Sequence, residues 1–206
     1  MFAASGRPLD AGDEAGHYAP TIVGRRMHQD LTRILLTSDQ IQRRIAELAK
    51  EIGRDYAEVP DVLLVGVLKG SIMCMVDLAR ALQRPLAMDF IAISSYGKTT
   101  ETSGVVRVLK DLDTDIAGRH VLIVEDIVDS GLTLAYLRES LQRRNPASLR
   151  ICAFLNKPGR REATVHVDYV GFDIPNEFVV GYGLDYAEHY RNLPYIAVLN
   201  PDVYSD

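Results

Sequence analysis

Residues 121–133 read Val-Leu-Ile-Val-Glu-Asp-Ile-Val-Asp-Ser-Gly-Leu-Thr, and their reading decides the fold. Val121–Val124 is a continuous aliphatic run, the pattern of a strand buried on both faces in a parallel sheet. Glu125 and Asp126 arrive together at its end, where open α/β sheets bind their ligands. Asp129-Ser130-Gly131-Leu132-Thr133 then leads into a helical pattern over Leu132–Arg143. Small residues there let backbone N–H groups converge on a phosphate at the helix N-terminus, and Ser130 and Thr133 add hydroxyl donors. A plain cap by Asp129 or Ser130 needs one such residue and explains neither Glu125 nor Asp126. Two carboxylates beside a phosphate cradle repel the anion unless they face something else. A sugar diol, which donates to carboxylate, resolves the conflict, and so does a hard cation. A phosphorylated ribose supplies the diol and the phosphate together.

Working outward, the segments on either side repeat a strand–helix alternation. Thr37-Ser38-Asp39-Gln40 is a capping-box pattern, and Ile41, Ile45, Leu48 and Ile52 line one face of the helix it opens. Val62–Leu68 is apolar and too short for a stable helix, so it reads as a buried strand. Ser71–Leu82 is helical, with Met73, Val76, Ala79 and Leu82 on one face. Asp89–Ile93 is a strand, and Ser94–Gly104 a Ser/Thr/Gly loop. Leu149–Leu155, Tyr169–Phe172 and Ile196–Leu199 complete the strands. Such alternation points to a parallel α/β sheet with a covered core. Residues 1–30 lack periodicity and read as a flexible N-terminal extension, with Met27 a candidate start; 31–206 form one domain.

A chain of 206 residues suits one sizeable core. The formal charge of -5, with no Lys/Arg run, argues against nucleic acid as a partner. No apolar run approaches the ~20 residues a membrane span needs, and no secretory signal is legible, so the expected location is cytoplasmic. Cys74 and Cys152 lie in apolar runs and read as buried, reduced thiols. The five histidines have no metal-ligand spacing.

The central segment resembles the diphosphoribosyl-binding signature of the type I phosphoribosyltransferases. Other segments narrow the likeness to the hypoxanthine-guanine phosphoribosyltransferases: Leu68-Lys69-Gly70-Ser71 after the first strand, Ser94-Ser95-Tyr96-Gly97, Lys157-Pro158, and Gly171-Phe172-Asp173-Ile174-Pro175. Phe178-Val179-Val180-Gly181-Tyr182 and Asp185-Tyr186 with Arg191 complete it. The likeness runs from about Leu35 to about Tyr204. Ser71, Ser130 and Leu132 depart from residues seen in other members without removing a donor or the backbone role.

The resemblance implies the type I phosphoribosyltransferase fold, a central mostly parallel sheet flanked by helices. A small hood, from about 157–206 plus the N-terminal segment, would cover the active site. It implies that Glu125 and Asp126 hold the ribose hydroxyls, and that Asp129, Ser130, Gly131, Leu132 and Thr133 hold the 5-phosphate. Lys69, Gly70 and Arg191 would bind pyrophosphate. Lys157 would donate to the purine 6-oxo group, Phe178 stack on the ring, Val179 bond the base through its main chain, and Asp185 line the purine site and lie near Mg²⁺. Glu125, Asp126 and Asp185 are the candidate metal residues, and Asp129, Lys157 and Tyr96 the catalytic ones, with Tyr96 on a closing flap. Asp129 would accept or share the proton on purine N7. The implied reaction joins hypoxanthine or guanine to phosphoribosyl pyrophosphate, giving IMP or GMP and pyrophosphate in a homodimer or homotetramer. Two alternatives stand beside it: a regulator of this fold that binds RNA, and a xanthine-preferring enzyme.

Overall fold

The computed structural model describes residues 29–95 and 106–205. Strand β1 (Leu31–Leu36) is followed by α1 (Ser38–Asp55), β2 (Val62–Leu68), α2 (Ile72–Leu82), β3 (Ala87–Ser95) and β4 (Val106–Lys110). Then come β5 (His120–Val128), α3 (Leu132–Gln142), β6 (Ser148–Asn156), β7 (Tyr169–Asp173), β8 (Val179–Val180) and β9 (Ile196–Leu199). Six strands form one sheet in the order β4-β3-β2-β5-β6-β7, parallel except for β4, which runs antiparallel to β3.

Strand alternation divides the core. Leu64, Leu122 and Val124 face α1 and α2, whose Ile41, Ile45, Leu48, Ile52, Met75 and Leu78 pack there. Leu63, Val65, Val121 and Ile123 face the other way, onto Leu134, Leu137 and Leu141 of α3. Successive side chains of a strand point to opposite faces, so a strand covered on both must be apolar throughout. That is why β2 and β5 carry unbroken aliphatic runs. Burying one such side chain contributes about 1.5–3 kcal/mol. The capping box of α1 forms as its sequence predicts: Gln40 N donates to Thr37 Oγ1 at 3.3 Å, and Thr37 N donates to Gln40 Oε1 at 2.8 Å. Both cysteines are buried, and burial raises the thiol of each, that of Cys152 to about 12.

Some elements differ from the sequence reading. Ile196–Leu199 leaves the main sheet and joins a second, three-stranded one in the order β1-β9-β8, antiparallel throughout. Its four residues are all buried, so their pattern matches a central parallel strand and periodicity does not separate the two cases. Strand β1, absent from the sequence reading, pairs with it from Leu31↔Leu199 to Leu36↔Ile196. Just before it, the Asp30 carbonyl accepts from Asn200 N at 2.8 Å. Strand β4 was likewise unpredicted, since its half-exposed Val-Arg-Val-Leu-Lys sits on the sheet edge. Strand β5 runs on to Val128, so the acidic pair lies within the strand and not beyond it; Ile127 and Val128 extend the ladder onto Leu155 and Asn156.

The order of strands creates the site. From β2 the chain moves outward through α2 to β3, whereas from β5 it moves the opposite way to β6 and β7. The switch point falls between β2 and β5, and ligands of open α/β sheets bind in the crevice at such a point.

Candidate active site

Two loops meet at the switch point, one after β2 and one after β5. Lys69-Gly70 follows β2 through a cis Leu68–Lys69 peptide. A Cβ on Gly70 would stand 1.4 Å from Asp126 Oδ2, so the loop lies directly against the acidic pair. From the other side, a Cβ on Gly183 would stand 1.9 Å from the Gly70 carbonyl, and Gly183 has φ +103. Gly183 accepts only glycine, for space and for conformation, and any Cβ at Gly70 would displace the Asp126 carboxylate.

Glu125 and Asp126 are half-buried side by side. Burial, and then the neighbouring Asp126, push Glu125 well above the usual carboxylate range. Burial raises Asp126 as well, although Ile127 N donates to its Oδ1 at 2.7 Å and the Arg191 charge pulls the other way. Two adjacent acids so placed favour a group that donates hydrogen bonds or carries positive charge.

The loop from Asp129 opens α3 with Gly131 at the N-cap, φ 81, and no side-chain cap bond. Neither Asp129 nor Ser130 caps the helix, although Leu132 N approaches Ser130 Oγ at 3.4 Å. A helix left without a side-chain cap offers its first N–H groups and its positive dipole end to an anion. Gly131 is required here: besides its positive φ, a Cβ would meet Arg161 Nη1 at 2.9 Å and the Ala163 carbonyl at 3.1 Å. The 162–163 backbone supports the loop, as Glu162 N and Ala163 N both donate to the Ser130 carbonyl. Leu132 is exposed and Thr133 half-buried at the same helix start.

Lys157 is only 8% exposed, which separates it from a solvated strand end. Its main-chain N donates to the Val128 carbonyl at 2.9 Å, and its Nζ stands 3.5 Å from Asp129 Oδ2. Arg160 Nε donates to the other oxygen of Asp129 at 3.0 Å. The sequence reading missed Arg160; its only signal was a basic pair, Arg160-Arg161, three residues past Lys157.

Arg191 joins the opposite rim. Its Nη1 donates to the Gly183 carbonyl at 2.8 Å, and its Nη2 lies 2.8 Å from Asp185 Oδ1. Glu188, also missed, bridges to Lys69 Nζ at 3.0 Å and Arg191 Nη2 at 3.5 Å, and the Lys69 ammonium holds its carboxyl below the usual range. Asp185 accepts from Glu188 N at 2.9 Å besides pairing with Arg191. The three carboxylates named from the sequence as metal residues therefore do not converge: among the described residues no group of three or more acidic, histidine or cysteine ligands could hold a metal ion. Asp185 is turned to Arg191 instead.

Phe178 is 40% exposed, so it is not a core residue, while Val179 is buried and pairs with Val198. Tyr96 and the rest of the 96–105 segment lie outside the described residues. So does the Met27 start. Among the described residues no helix is long and apolar enough to cross a membrane.

A doubly covered sheet whose switch point joins an acidic pair to an uncapped helix start has the form of a site for a phosphorylated sugar. A family model described as the phosphoribosyl transferase domain matches residues 33–187. The hypoxanthine-guanine phosphoribosyltransferase of Mycobacterium bovis is 58% identical over 180 residues, spanning 85% of this chain and 89% of that one. That of Bacillus subtilis is 49% identical over 178 residues, spanning 86% and 98%. A crystal structure of a hypoxanthine phosphoribosyltransferase from Staphylococcus aureus matches with a TM-score of 0.84 at 48% identity, covering 88% of this chain and 98% of that one. The chain belongs to the hypoxanthine-guanine phosphoribosyltransferase family, and is a transferase of the type I phosphoribosyltransferase fold.

Proposed function

We propose that the protein joins hypoxanthine or guanine to phosphoribosyl pyrophosphate, releasing pyrophosphate and forming IMP or GMP. The observation that carries this choice of base is the buried Lys157 ammonium beside Asp129 at the mouth of the phosphate loop. An ammonium donates only, so it suits a 6-oxo acceptor and opposes a 6-amino group. In this reading N9 of the purine bonds to the anomeric carbon as the bond from that carbon to pyrophosphate breaks. The carbon acquires oxocarbenium-like character, as in glycosidic chemistry. Asp129 takes or shares the proton at N7. Lys69 and Arg191, with the backbone at Gly70, receive the leaving charge, and the helix start at Gly131 holds the 5-phosphate.

The acidic pair fits Mg²⁺. Glu125 and Asp126 are adjacent carboxylates held above their usual range by burial, a placement that favours a bound cation, and Mg²⁺ is commonly held by one or two carboxylates with substrate oxygens supplying further ligands. When bound, Mg²⁺ would offset the negative charge of ribose-bound pyrophosphate. Asp185 belongs to this site through Arg191. A cytoplasmic homodimer or homotetramer completes the reading.

Nucleotide formation from hypoxanthine, guanine, xanthine and adenine, each with phosphoribosyl pyrophosphate and Mg²⁺, tests it. The first two should react and adenine should not; a preference for xanthine would reassign the base. Lys157→Gln should lower activity with hypoxanthine by about 10²-fold or more, while the thermal midpoint changes little. Unchanged kinetics in that variant would remove Lys157 from the base site.

A further inference from the structure

Three aromatic rings meet at the end of the small sheet. The Phe178 and Tyr204 rings are stacked, with centroids 5.0 Å apart and planes at 29°. Tyr186 meets Phe178 nearly edge-on, at 5.8 Å and 87°. Tyr186 and Tyr204 lie 6.4 Å apart. Phe178 nevertheless remains 40% exposed and Tyr204 38%. A flat ring has two faces. Tyr204 stacks on one and Tyr186 meets the ring edge-on, while Phe178 keeps 40% exposure.

The position of Tyr204 is built into the fold. Its N–H donates to the Pro201 carbonyl at 3.1 Å, closing the 3-10 turn Pro201–Val203. Asn200 Oδ1 caps that turn from Asp202 N at 3.2 Å, and Asn200 N is tied to the Asp30 carbonyl at 2.8 Å. Leu199 N donates to the Phe178 carbonyl at 2.9 Å, so the strand that delivers Tyr204 is bonded to the residue it stacks on.

We propose that Tyr204 is a positioning residue for the purine: its ring braces the covered face of Phe178, fixing that ring parallel to the incoming base. The inference rests on Phe178 being the base-stacking residue of the proposed reaction. A phenylalanine with one face free to swing gives up part of its stacking energy when it is immobilised by ligand, and a bracing ring removes that cost beforehand. Tyr204 touches no reacting atom and acts through Phe178.

Steady-state kinetics with hypoxanthine as the varied substrate test this in the full chain. Tyr204→Ala should raise the purine KM roughly two- to tenfold, the range of one aromatic pair. It should leave kcat and the KM for phosphoribosyl pyrophosphate near wild type. Tyr204→Leu, which keeps apolar bulk without a flat ring, should behave like Tyr204→Ala and covers the case in which the alanine variant folds poorly. Tyr204→Phe should restore the wild-type purine KM. In a double-mutant cycle the effect of Tyr204→Ala should vanish in a Phe178→Ala background, since the brace has nothing left to hold. A purine KM that stays unchanged or falls in Tyr204→Ala and Tyr204→Leu, while Phe178→Ala raises it, overturns the proposal and leaves the base site standing. If Phe178→Ala itself leaves the purine KM unchanged, the base-stacking reading fails instead. Additive effects in the cycle would also overturn the proposal, because Tyr204 would then act independently of Phe178.

Discussion

Asp129 stands between two cations, with Lys157 Nζ 3.5 Å from one oxygen and Arg160 Nε 3.0 Å from the other. A carboxylate so flanked is fixed in orientation before any substrate arrives, and pre-orientation is what a proton acceptor in a transition state requires. Asp129→Asn preserves shape and one acceptor but cannot take a proton. We expect turnover to fall by about 10²–10⁴-fold while phosphoribosyl pyrophosphate still binds, as read by single-turnover kinetics beside a binding titration. Wild-type turnover in that variant would exclude Asp129 from proton transfer. At this scale the residues that were legible from sequence share a property: Glu125, Asp126, Asp129 and Gly131 are neighbours in the chain, so their chemistry can be read as one phrase. Arg160, Glu188 and Tyr204 were not legible because each gains its place through space. Glu188 meets Lys69 across 119 positions. No local pattern announces such a pairing, and a lone surface glutamate reads as solvated.

Elements were read best where burial is complete and worst at edges. Strands β2, β5 and β6 have helices on both sides, which demands uninterrupted aliphatics and makes them visible. The edge strand β4 is held differently, through charge. Lys110, its last residue, donates to the Phe90 carbonyl at 3.1 Å and lies 3.7 Å from the buried Asp89. Asp89 is 5% exposed and accepts from Phe90 N at 2.7 Å and Thr114 N at 2.8 Å. Burial opposes the ionised form, but those two N–H groups, then the Thr114 side chain and then Lys110 outweigh it, and the carboxyl lies below its ordinary value. A depressed carboxylate adds stability that is present above the unfolded pKa and is lost as pH falls through the folded one. Asp89→Asn should therefore lower stability at neutral pH by roughly 1–3 kcal/mol, and the gap to wild type should close in acid. Thermal midpoints of both proteins across about pH 3 to 7 check this; a gap independent of pH would assign the loss to packing and not to charge.

At the scale of the molecule, the described residues form two sheets, and the loops of the candidate site come from both parts of the chain. The small sheet holds Val179 in β8, the segment that leads on to Arg191 packs Gly183 against the Gly70 carbonyl, and the sheet's own first strand comes from the opposite end of the chain. Sequence could not show that closure, because β1 and β9 are separated by most of the chain and each alone is a short apolar run. Side chains tie the two ends at Thr32 Oγ1 to the Val198 carbonyl, at Arg33 to Glu177, and at a clasp in which Tyr190 Oη donates to Asp30 Oδ2 at 2.8 Å, from a tyrosine only 8% exposed. Burial and then this bond raise the Tyr190 phenol to about 12. Further ties run from the Tyr182 hydroxyl to Asp77 at 2.7 Å and from Gly183 onto Gly70, so losing the clasp should loosen the small sheet without releasing it. Tyr190→Phe deletes the hydroxyl alone and should cost about 1–2 kcal/mol, the worth of a partly buried hydrogen bond to a charged group. The loss should be local. Hydrogen exchange should quicken at the Ile196–Leu199 amides and stay unchanged in Val62–Leu68 and Val121–Val124, since regions of a fold open in separate cooperative units. Equal acceleration in both sheets would mean that they unfold as one body, and that the clasp stabilises the whole chain and not the small sheet alone.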